Sequence, residues 1–346
     1  MESRFLTNKI YSLFLNNGLR LSRAVMFFSL IILCMMTLTS CAHQSERTLS
    51  SKAGLSSSLD TPNILIVNTN SRIDKYAIAE ASFTESIPDT ESNTDIRVLD
   101  LGTEPHPLEI LQDTLNEHDY DAIYAIGAKA LGSVDYIDPD MPVIFSSVLN
   151  WRRFHGQDNY YGIASEVAPK VQLTWFKYFF PEVKTVGVLH SVDNLQLIQD
   201  ARISASELSL KLIASDVKAE DSLEKKANTL LDQIDVLWLV SDPVVLATTE
   251  KAELLFELAH KKGIPVLSYN RFFDDLGALL SITADLPTTG RQAALMMKNV
   301  LAQHANKESV QFPAGSRISL NAAKAKAYGI ILNEDALDSV DELVGE

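Results

Sequence analysis

The chain has 346 residues, of which 46% are hydrophobic and 22% are charged, and its formal net charge is −15 at neutral pH. This composition indicates a globular protein long enough for two medium-sized domains, and it excludes a disordered or fibrous chain. The acidic balance argues against nucleic-acid binding, because contacts to phosphates need an excess of Lys and Arg.

Residue types that bind metals or form disulfides are sparse. The two cysteines, Cys34 and Cys41, both lie near the N-terminus, and the seven histidines show neither an HExxH motif nor a pair at helical spacing. The sequence also lacks a phosphate-binding glycine loop, a dinucleotide fingerprint and a nucleophile elbow. It therefore predicts no metal, no cofactor and no enzymatic activity.

The first 40 residues have the pattern of a secretory signal peptide. Four basic residues among the first 23 precede an almost wholly apolar run over 24–38. The next residues complete Leu38-Thr39-Ser40-Cys41, which resembles the bacterial lipobox. That resemblance implies cleavage of residues 1–40 and acylation of the Cys41 thiol by a fatty acid such as palmitate. An uncleaved anchor is the alternative, because about 18 apolar residues can span a bilayer.

Residues 41–60 are rich in Ser and show little apolar pattern, which is typical of a flexible tether. Ala42 directly follows the cysteine, and this resembles outer-membrane sorting in Gram-negative bacteria. We therefore expect a folded domain in the cell envelope, facing the periplasm and held by lipid to a bacterial membrane, with the outer membrane favoured over the inner one.

From residue 61 the chain alternates short apolar runs with longer amphipathic ones. Most of the apolar runs, such as 63–68 and 235–240, are continuous, as strands buried on both faces of a parallel sheet require. The stretch 248–263 carries apolar residues at i, i+3, i+4 and i+7, which predicts a helix capped by Gly263. Repeated strand–helix alternation predicts an α/β fold of doubly wound parallel sheets.

Two irregular stretches, 149–162 and 270–290, interrupt this alternation. They predict crossings between two lobes that share a hinge and enclose a cleft. On this interpretation the N-terminal lobe comprises residues 61–150 and 284–308. The C-terminal lobe comprises residues 151–283 and 309–346.

Six fragments over residues 142–330 carry a family resemblance. In chain order they read PVIFSSV, YFFPEVKTVGVLHS, DVLWLVSDPVV, KKGIPVLSY, GALLSITADLPTTGRQAALMMKNVLA and SLNAAKAKAYGI. Together they resemble the substrate-binding proteins of ABC transporters, in the group that includes tryptophan- and tyrosine-type binding proteins. The resemblance implies a type I periplasmic binding protein fold, whose two lobes close on a small ligand. The chain departs from the family pattern at 149–154 and 156–165, near the expected cleft, so the identity of the ligand stays open.

Ligands of open parallel sheets bind beyond the carboxyl ends of the strands. The polar residues at these ends either cap helices or contact a ligand. Trp151 and Arg152 either stack an aromatic group and bind a carboxylate, or pack a hinge with the guanidinium in water. The predicted ligand contacts are Asn70, Ser71, Ser147, Trp151, Arg152, Tyr160, Asp193, Ser241, Asp242 and Asn270.

The function predicted from the sequence is capture of a small solute outside the cytoplasm. We expect a lipid-anchored monomer that binds an amino-acid-like solute, or another small carboxylate or aromatic compound, and presents it to an ABC permease. Two alternatives remain open. One is a ligand-sensing subunit of a membrane receptor, and the other is a non-transport lipoprotein that regulates a cell-envelope enzyme.

Overall fold

The computed structural model describes residues 62–87, 94–154, 158–304 and 308–345. The predicted signal peptide, the tether and the lipid site at Cys41 lie outside these residues. The described residues form one compact unit. No helix within the described ranges is long and apolar enough to cross a membrane.

The first lobe is built on a six-stranded sheet in which all the strand pairs are parallel. Its central strands are buried on both faces, which explains their continuous apolar sequences. The strands are β1 (Asn63–Asn68), β2 (Asp95–Asp100), β3 (Ala122–Ile126), β4 (Val143–Ser146), β5 (Tyr160–Ile163) and β11 (Val310–Gln311). Their order across the sheet is β11-β5-β4-β3-β1-β2.

Helices cover both faces of this first sheet. One core lies beneath the first and last helices of the lobe, and a second core lies on the opposite face. These two helices pack closely at Gly290, where a Cβ atom would come within 2.6 Å of the carbonyl oxygen of Ala79. The helices of the lobe are α1 (Asp74–Ser86), α2 (Pro107–Glu117), α3 (Ala128–Ile137) and α8 (Leu286–Leu301).

The second lobe is built on a seven-stranded sheet with one antiparallel pair, β10 with β12. Its strands are β6 (Thr185–His190), β7 (Lys211–Asp216), β8 (Val236–Trp238), β9 (Val266–Ser268), β10 (Leu280–Ala284), β12 (Ser316–Asn321) and β13 (Glu342–Val344). Their order is β13-β12-β10-β9-β8-β6-β7. The two mainly parallel sheets confirm the predicted α/β fold of two doubly wound lobes.

Helices also flank the second sheet, and the one over Thr249–Lys261 follows the pattern predicted from the sequence. The apolar stripe at Ala252, Leu255, Phe256 and Ala259 is buried, and the Thr248 side chain caps the helix. The helices are α4 (Pro169–Phe179), α5 (Leu195–Glu207), α6 (Leu223–Leu231), α7 (Thr249–Lys261), α9 (Ala322–Ala327) and α10 (Glu334–Leu337).

Within the described residues the chain passes between the two sheets three times, after β5, after β10 and after β11. The first and last crossings correct the predicted boundaries, because β5 pairs with β4 and β11 pairs with β5 in the first sheet. The first lobe therefore extends beyond residue 150, to Ile163, and includes residues 310–311. Asp285 donates its backbone N–H to the carbonyl oxygen of Gly315 at 3.0 Å, which ties the second crossing to the third.

Candidate functional site

A cavity of about 420 Å³ is lined by residues of both lobes. Each of these residues follows the carboxyl end of a strand, where ligands of parallel sheets bind. A cavity of this size accommodates a small solute. The first lobe contributes Asn150, Arg152 and Arg153, and the second lobe contributes Asp193, Asn194 and Pro243.

The first-lobe wall is formed by the loop after β4. Ser147 and Asn150 have φ angles of 58° and 50°, which is the left-handed region, and they turn the chain into a short 3-10 helix over Trp151–Arg153. The Arg152 guanidinium lies 4.6 Å from the centroid of the Trp151 ring. This stacking orients a cation at the cavity wall, where a guanidinium can bind a carboxylate.

Three buried polar atoms at or beside this wall have no hydrogen-bond partner among the described residues. They are Ser147 Oγ, Trp151 Nε1 and Glu166 Oε2. Glu166 lies in the first crossing, between β5 and α4, and its other oxygen accepts a hydrogen bond from the Asn150 backbone N–H at 3.0 Å. Each unsatisfied buried group costs roughly 1–3 kcal/mol, so this wall retains hydrogen-bonding capacity.

Burial raises the pKa of the Glu166 carboxyl, although the Asn150 N–H and the Arg152 charge act in the opposite direction. Tyr269, which follows β9, lies near the same carboxyl. Burial raises the pKa of its hydroxyl to about 12, a hydrogen bond with the Ser241 side chain opposes the rise, and the charges of Glu166 and Asp242 add to it. Glu166 therefore lies where elements of both lobes meet.

The second-lobe wall is organised by Asp242, which follows β8 and is 3% exposed. Its Oδ2 accepts hydrogen bonds from Ser191 N at 2.6 Å and from Asn194 Nδ2 at 2.9 Å. Its Oδ1 accepts from the backbone N–H groups of Val244 and Val245 at 2.9 and 3.0 Å. Burial alone would raise the pKa of Asp242, but the four hydrogen bonds together lower it. Asp242 thus holds Asn194 in the wall.

The structure brings some of the predicted ligand contacts to the cavity. Arg152 and Asp193 line it directly. Trp151 supports Arg152, and Ser147 belongs to the same loop. Asp242 supports the opposite wall. Ser241 precedes Asp242 and bonds with Tyr269.

Other predicted contacts have different environments. Asn70 lines a separate cavity of about 230 Å³ in the first lobe. The Ser71 hydroxyl donates to Glu80 Oε2 at 2.9 Å. Asn270 Oδ1 accepts from Phe272 N at 3.0 Å and so caps the 3-10 helix Arg271–Phe273. These are local hydrogen bonds at strand ends, and none of the three residues lines the interlobe cavity.

The prediction for Tyr160 is wrong. This residue begins β5 and pairs with Val143, the first residue of β4, so it lies at the amino ends of the strands, opposite the cavity. It is 3% exposed and packs in the first-lobe core. Burial raises the pKa of its hydroxyl, and the charges of Asp135 and Asp138 add to the rise.

Several residues of the site were not among the predicted contacts. Asn150, Arg153, Asn194 and Pro243 line the cavity, and Glu166 lies behind its wall. The strand-end rule could have indicated Asn194 and Pro243, because they lie four residues after β6 and five residues after β8. No sequence pattern links Glu166 to Asn150, which lies 16 residues earlier. In the described part of the chain, no cluster of three His, Cys, Asp or Glu residues could hold a metal ion.

Solved structures show the same fold. A ligand-free, open substrate-binding protein with adhesive properties from Clostridium difficile superposes with a TM-score of 0.61 and 17% identity, over 83% of this chain and 100% of that one. A Streptococcus pneumoniae ABC domain in complex with L-Trp has a TM-score of 0.55 and 17% identity, over 82% and 100%. A conserved domain protein from Vibrio cholerae has a TM-score of 0.54 and 17% identity, over 82% and 100%.

Sequence comparison places the chain in a family. No curated protein matches it. The family model described as ABC transporter substrate binding protein matches residues 101–344, which is well over half of the chain and includes every residue lining the interlobe cavity. The chain belongs to the ABC transporter substrate-binding protein family.

Proposed function

We propose that this protein is a lipid-anchored, extracytoplasmic solute-binding protein that captures a small ligand between its lobes and presents it to an ABC permease. The observation that carries the proposal is the cavity of about 420 Å³ lined from both lobes. A solute that touches both walls favours the closed arrangement of the lobes. The family supports a small-molecule ligand and a transporter partner, and it is not an enzyme family.

The charges of the cavity favour a ligand with an anionic group. Arg152 and Arg153 stand on one wall, and a guanidinium can hold a carboxylate through two parallel hydrogen bonds. Asp193 and Asn194 stand on the other wall and offer acceptors to donor groups of the ligand. An amino-acid-like solute fits this arrangement. The complex of the Streptococcus pneumoniae relative with L-Trp makes tryptophan the first solute to try.

A thermal-shift screen of the purified full-length protein tests ligand capture. The panel comprises the common L-amino acids, small dicarboxylates, purines and sugars. A ligand at 100 times its dissociation constant should stabilise the protein by about 2.7 kcal/mol. Arg152→Ala should abolish that shift, whereas Arg202→Ala, which removes the same charge from an exposed position on α5, should preserve it. An unchanged shift in Arg152→Ala, or no shift with any solute, contradicts the proposal.

Lipid anchoring requires its own experiment. Cells expressing the protein are fed a clickable palmitate analogue, and labelling of the chain is measured. Cys41→Ala should abolish labelling, and Cys34→Ala should leave it unchanged. Membrane fractionation of the labelled protein then distinguishes the outer membrane from the inner one. Labelling that persists in Cys41→Ala would refute the anchor.

Transport is separated from sensing once a solute has been identified. Deletion of the gene should reduce uptake of the radiolabelled solute, and the wild-type gene should restore it. Normal uptake with a lost transcriptional response would instead assign the protein to a membrane receptor.

A further inference from the structure

Glu166 has an unused acceptor at the junction of the two lobes. The residue is 6% exposed. Its Oε1 accepts from the Asn150 N–H at 3.0 Å, whereas Oε2 is buried without a partner among the described residues. An ionised carboxylate has about four acceptor positions, and burying a charged group with a free acceptor is costly. In its ionised form, the Glu166 carboxylate therefore lacks a donor at Oε2.

The neighbours of Glu166 do not supply that donor. The charge of Arg152 acts on the carboxyl, but the Arg152 guanidinium lies over the Trp151 ring. On the second-lobe side, Tyr269 shares a hydrogen bond with the Ser241 side chain, and no hydroxyl of the described residues reaches Glu166 Oε2. Asp242 is an acceptor whose two oxygens are occupied by four donors. The missing partner is therefore expected from outside the protein.

The cavity provides the route for such a partner. Asn150 and Arg152, the two residues that contact or electrostatically influence the Glu166 carboxyl from the first lobe, both line it. The carboxyl thus lies directly behind the cavity wall.

We propose that Glu166 accepts a hydrogen bond from a nitrogen donor of the captured solute, and that it thereby selects solutes carrying an ammonium or similar cationic nitrogen over acids of the same shape. This inference rests on the proposed function. In the closed protein the nitrogen donates to Oε2, while Arg152 and Arg153 remain available for a carboxylate of the same ligand. Glu166 is then a specificity-determining residue on the segment that joins the lobes.

Proton linkage supports the same assignment. In the ligand-free protein, burial favours the neutral carboxyl and raises its pKa. A cationic donor at Oε2 favours the ionised form, so binding of an ammonium-bearing solute should release a proton at pH values at which the ligand-free carboxyl is still protonated. Acids without the nitrogen should not cause this release.

The test compares matched probes by isothermal titration calorimetry on the full-length protein. Three sets are built on tryptophan, tyrosine and leucine, and each contains the amino acid, its desamino acid and its decarboxylated amine. The wild-type protein should bind at least one amino acid roughly tenfold or more tightly than the corresponding desamino acid, as expected for a hydrogen bond to a charged group. This comparison requires no variant.

Glu166→Gln then assigns the selectivity to this residue. The amide retains the size of the side chain and can still accept from Asn150 N–H, but it places a donor where Oε2 stood. The variant should lose most of the preference for the amino acid, while binding of the desamino acid stays unchanged and shows that the cavity is intact. Glu253→Gln on the exposed face of α7 removes the same charge and should behave as wild type.

Several outcomes would overturn the inference. They are equal binding of the amino acid and the desamino acid by the wild-type protein, an unchanged preference in Glu166→Gln, an equal loss for all probes in that variant, and no binding of any of the nine probes. Failure of the proposed function gives a different result, because then no solute in the wider thermal-shift panel stabilises the protein either.

Discussion

The two walls of the interlobe cavity differ in how completely their polar groups are satisfied. On the second-lobe wall, both oxygens of the buried Asp242 are occupied by four donors. On the first-lobe side, Ser147, Trp151 and Glu166 each bury one polar atom without a partner among the described residues. Buried polar groups in native proteins are nearly always hydrogen-bonded. The second-lobe wall therefore serves as a scaffold, and the first-lobe wall keeps capacity for a ligand.

The difference has a local structural origin. Asp242 directly follows a strand, and the chain turns back so that the N–H groups of Val244 and Val245 reach its side chain. The neighbouring strand end supplies Ser191 and Asn194. On the first lobe, Asn150 directs its N–H across to Oε1 of Glu166 in the crossing segment, whereas Oε2 has no partner among the described residues. Local turn geometry therefore gives both oxygens of Asp242 hydrogen-bond donors, whereas Oε2 of Glu166 has none among the described residues.

Removing the fully hydrogen-bonded Asp242 carboxylate should have the largest effect. Asp242→Asn replaces one carboxylate oxygen by an NH2 group, which then faces N–H groups that donate to the carboxylate in the wild type. The substitution should lower the free energy of unfolding by about 3 kcal/mol at neutral pH. Urea denaturation measures this loss. Asp193→Asn, which changes an exposed carboxylate on the same wall, is the matched control and should alter stability by less than about 0.5 kcal/mol.

The pH dependence of this loss has a definite sign. The folded protein lowers the pKa of Asp242 below its ordinary value of 3.8, so the stability that the carboxylate contributes is present above that value. It is lost as the pH falls through the folded pKa. The difference between wild type and Asp242→Asn should therefore shrink in acid. Equal stability of the two proteins at neutral pH would show that the Asp242 carboxylate does not stabilise the second-lobe wall.

The contribution of Glu166 to the stability of the protein should show the opposite pH dependence. Burial raises the pKa of Glu166 above 4.5, so the folded protein holds this proton more tightly than the unfolded chain does. The corresponding stability is complete below that pH and is lost as the pH rises through the folded pKa. Relative to Glu166→Gln, the ligand-free wild-type protein should lose up to about 1.4 kcal/mol per pH unit in this window. Parallel stability curves for the two proteins would show that Glu166 already has its donors.

Much of the fold follows from local sequence patterns, whereas parts of the site depend on long-range register. Continuous apolar runs such as Ala122–Ile126 revealed buried parallel strands. A polar strand end pointed to Asp193, and a guanidinium beside a tryptophan in the irregular stretch pointed to Arg152. β11, with two residues, is too short to produce a pattern, so its place in the first sheet could not be predicted. Tyr160 was misplaced because the irregular stretch 149–162 does not reveal that a strand begins at this residue, which puts it at the amino ends of the strands.

The partners of Glu166 could not be predicted for a related reason. The residue lies in a short connection that has no periodic pattern of its own. The hydrogen bond that reaches it from another segment comes from the backbone N–H of Asn150, a residue with a left-handed φ angle in a separate loop. Only the folded backbone brings these two segments together.

Trp151→Phe tests whether the first-lobe wall uses an unpartnered donor to bind the ligand, and its effect should be smaller. The change removes the unpartnered Nε1 donor and retains an aromatic ring under Arg152. A solute identified in the thermal-shift screen should bind roughly threefold more weakly, if the indole N–H is used in the closed state, as expected for one neutral hydrogen bond. Calorimetric titration measures this loss. Trp175→Phe on α4 is the matched control and should leave affinity unchanged, and equal affinity in both variants would show that the ligand does not use this donor.

The smallest effect is expected for Tyr160→Phe, which tests whether an unpartnered atom alone is enough to identify a ligand contact. The Tyr160 hydroxyl is also buried without a partner among the described residues, but it lies at the amino ends of the strands. Removing it should change the free energy of unfolding by less than about 1 kcal/mol, because the ring retains its packing and loses only an unsatisfied group. Ligand affinity should remain at the wild-type value. A loss of affinity comparable to that of Trp151→Phe would show that distance from the cavity does not separate ligand-binding groups from packing groups. The unpartnered atoms of the first-lobe wall would then give no evidence of ligand binding.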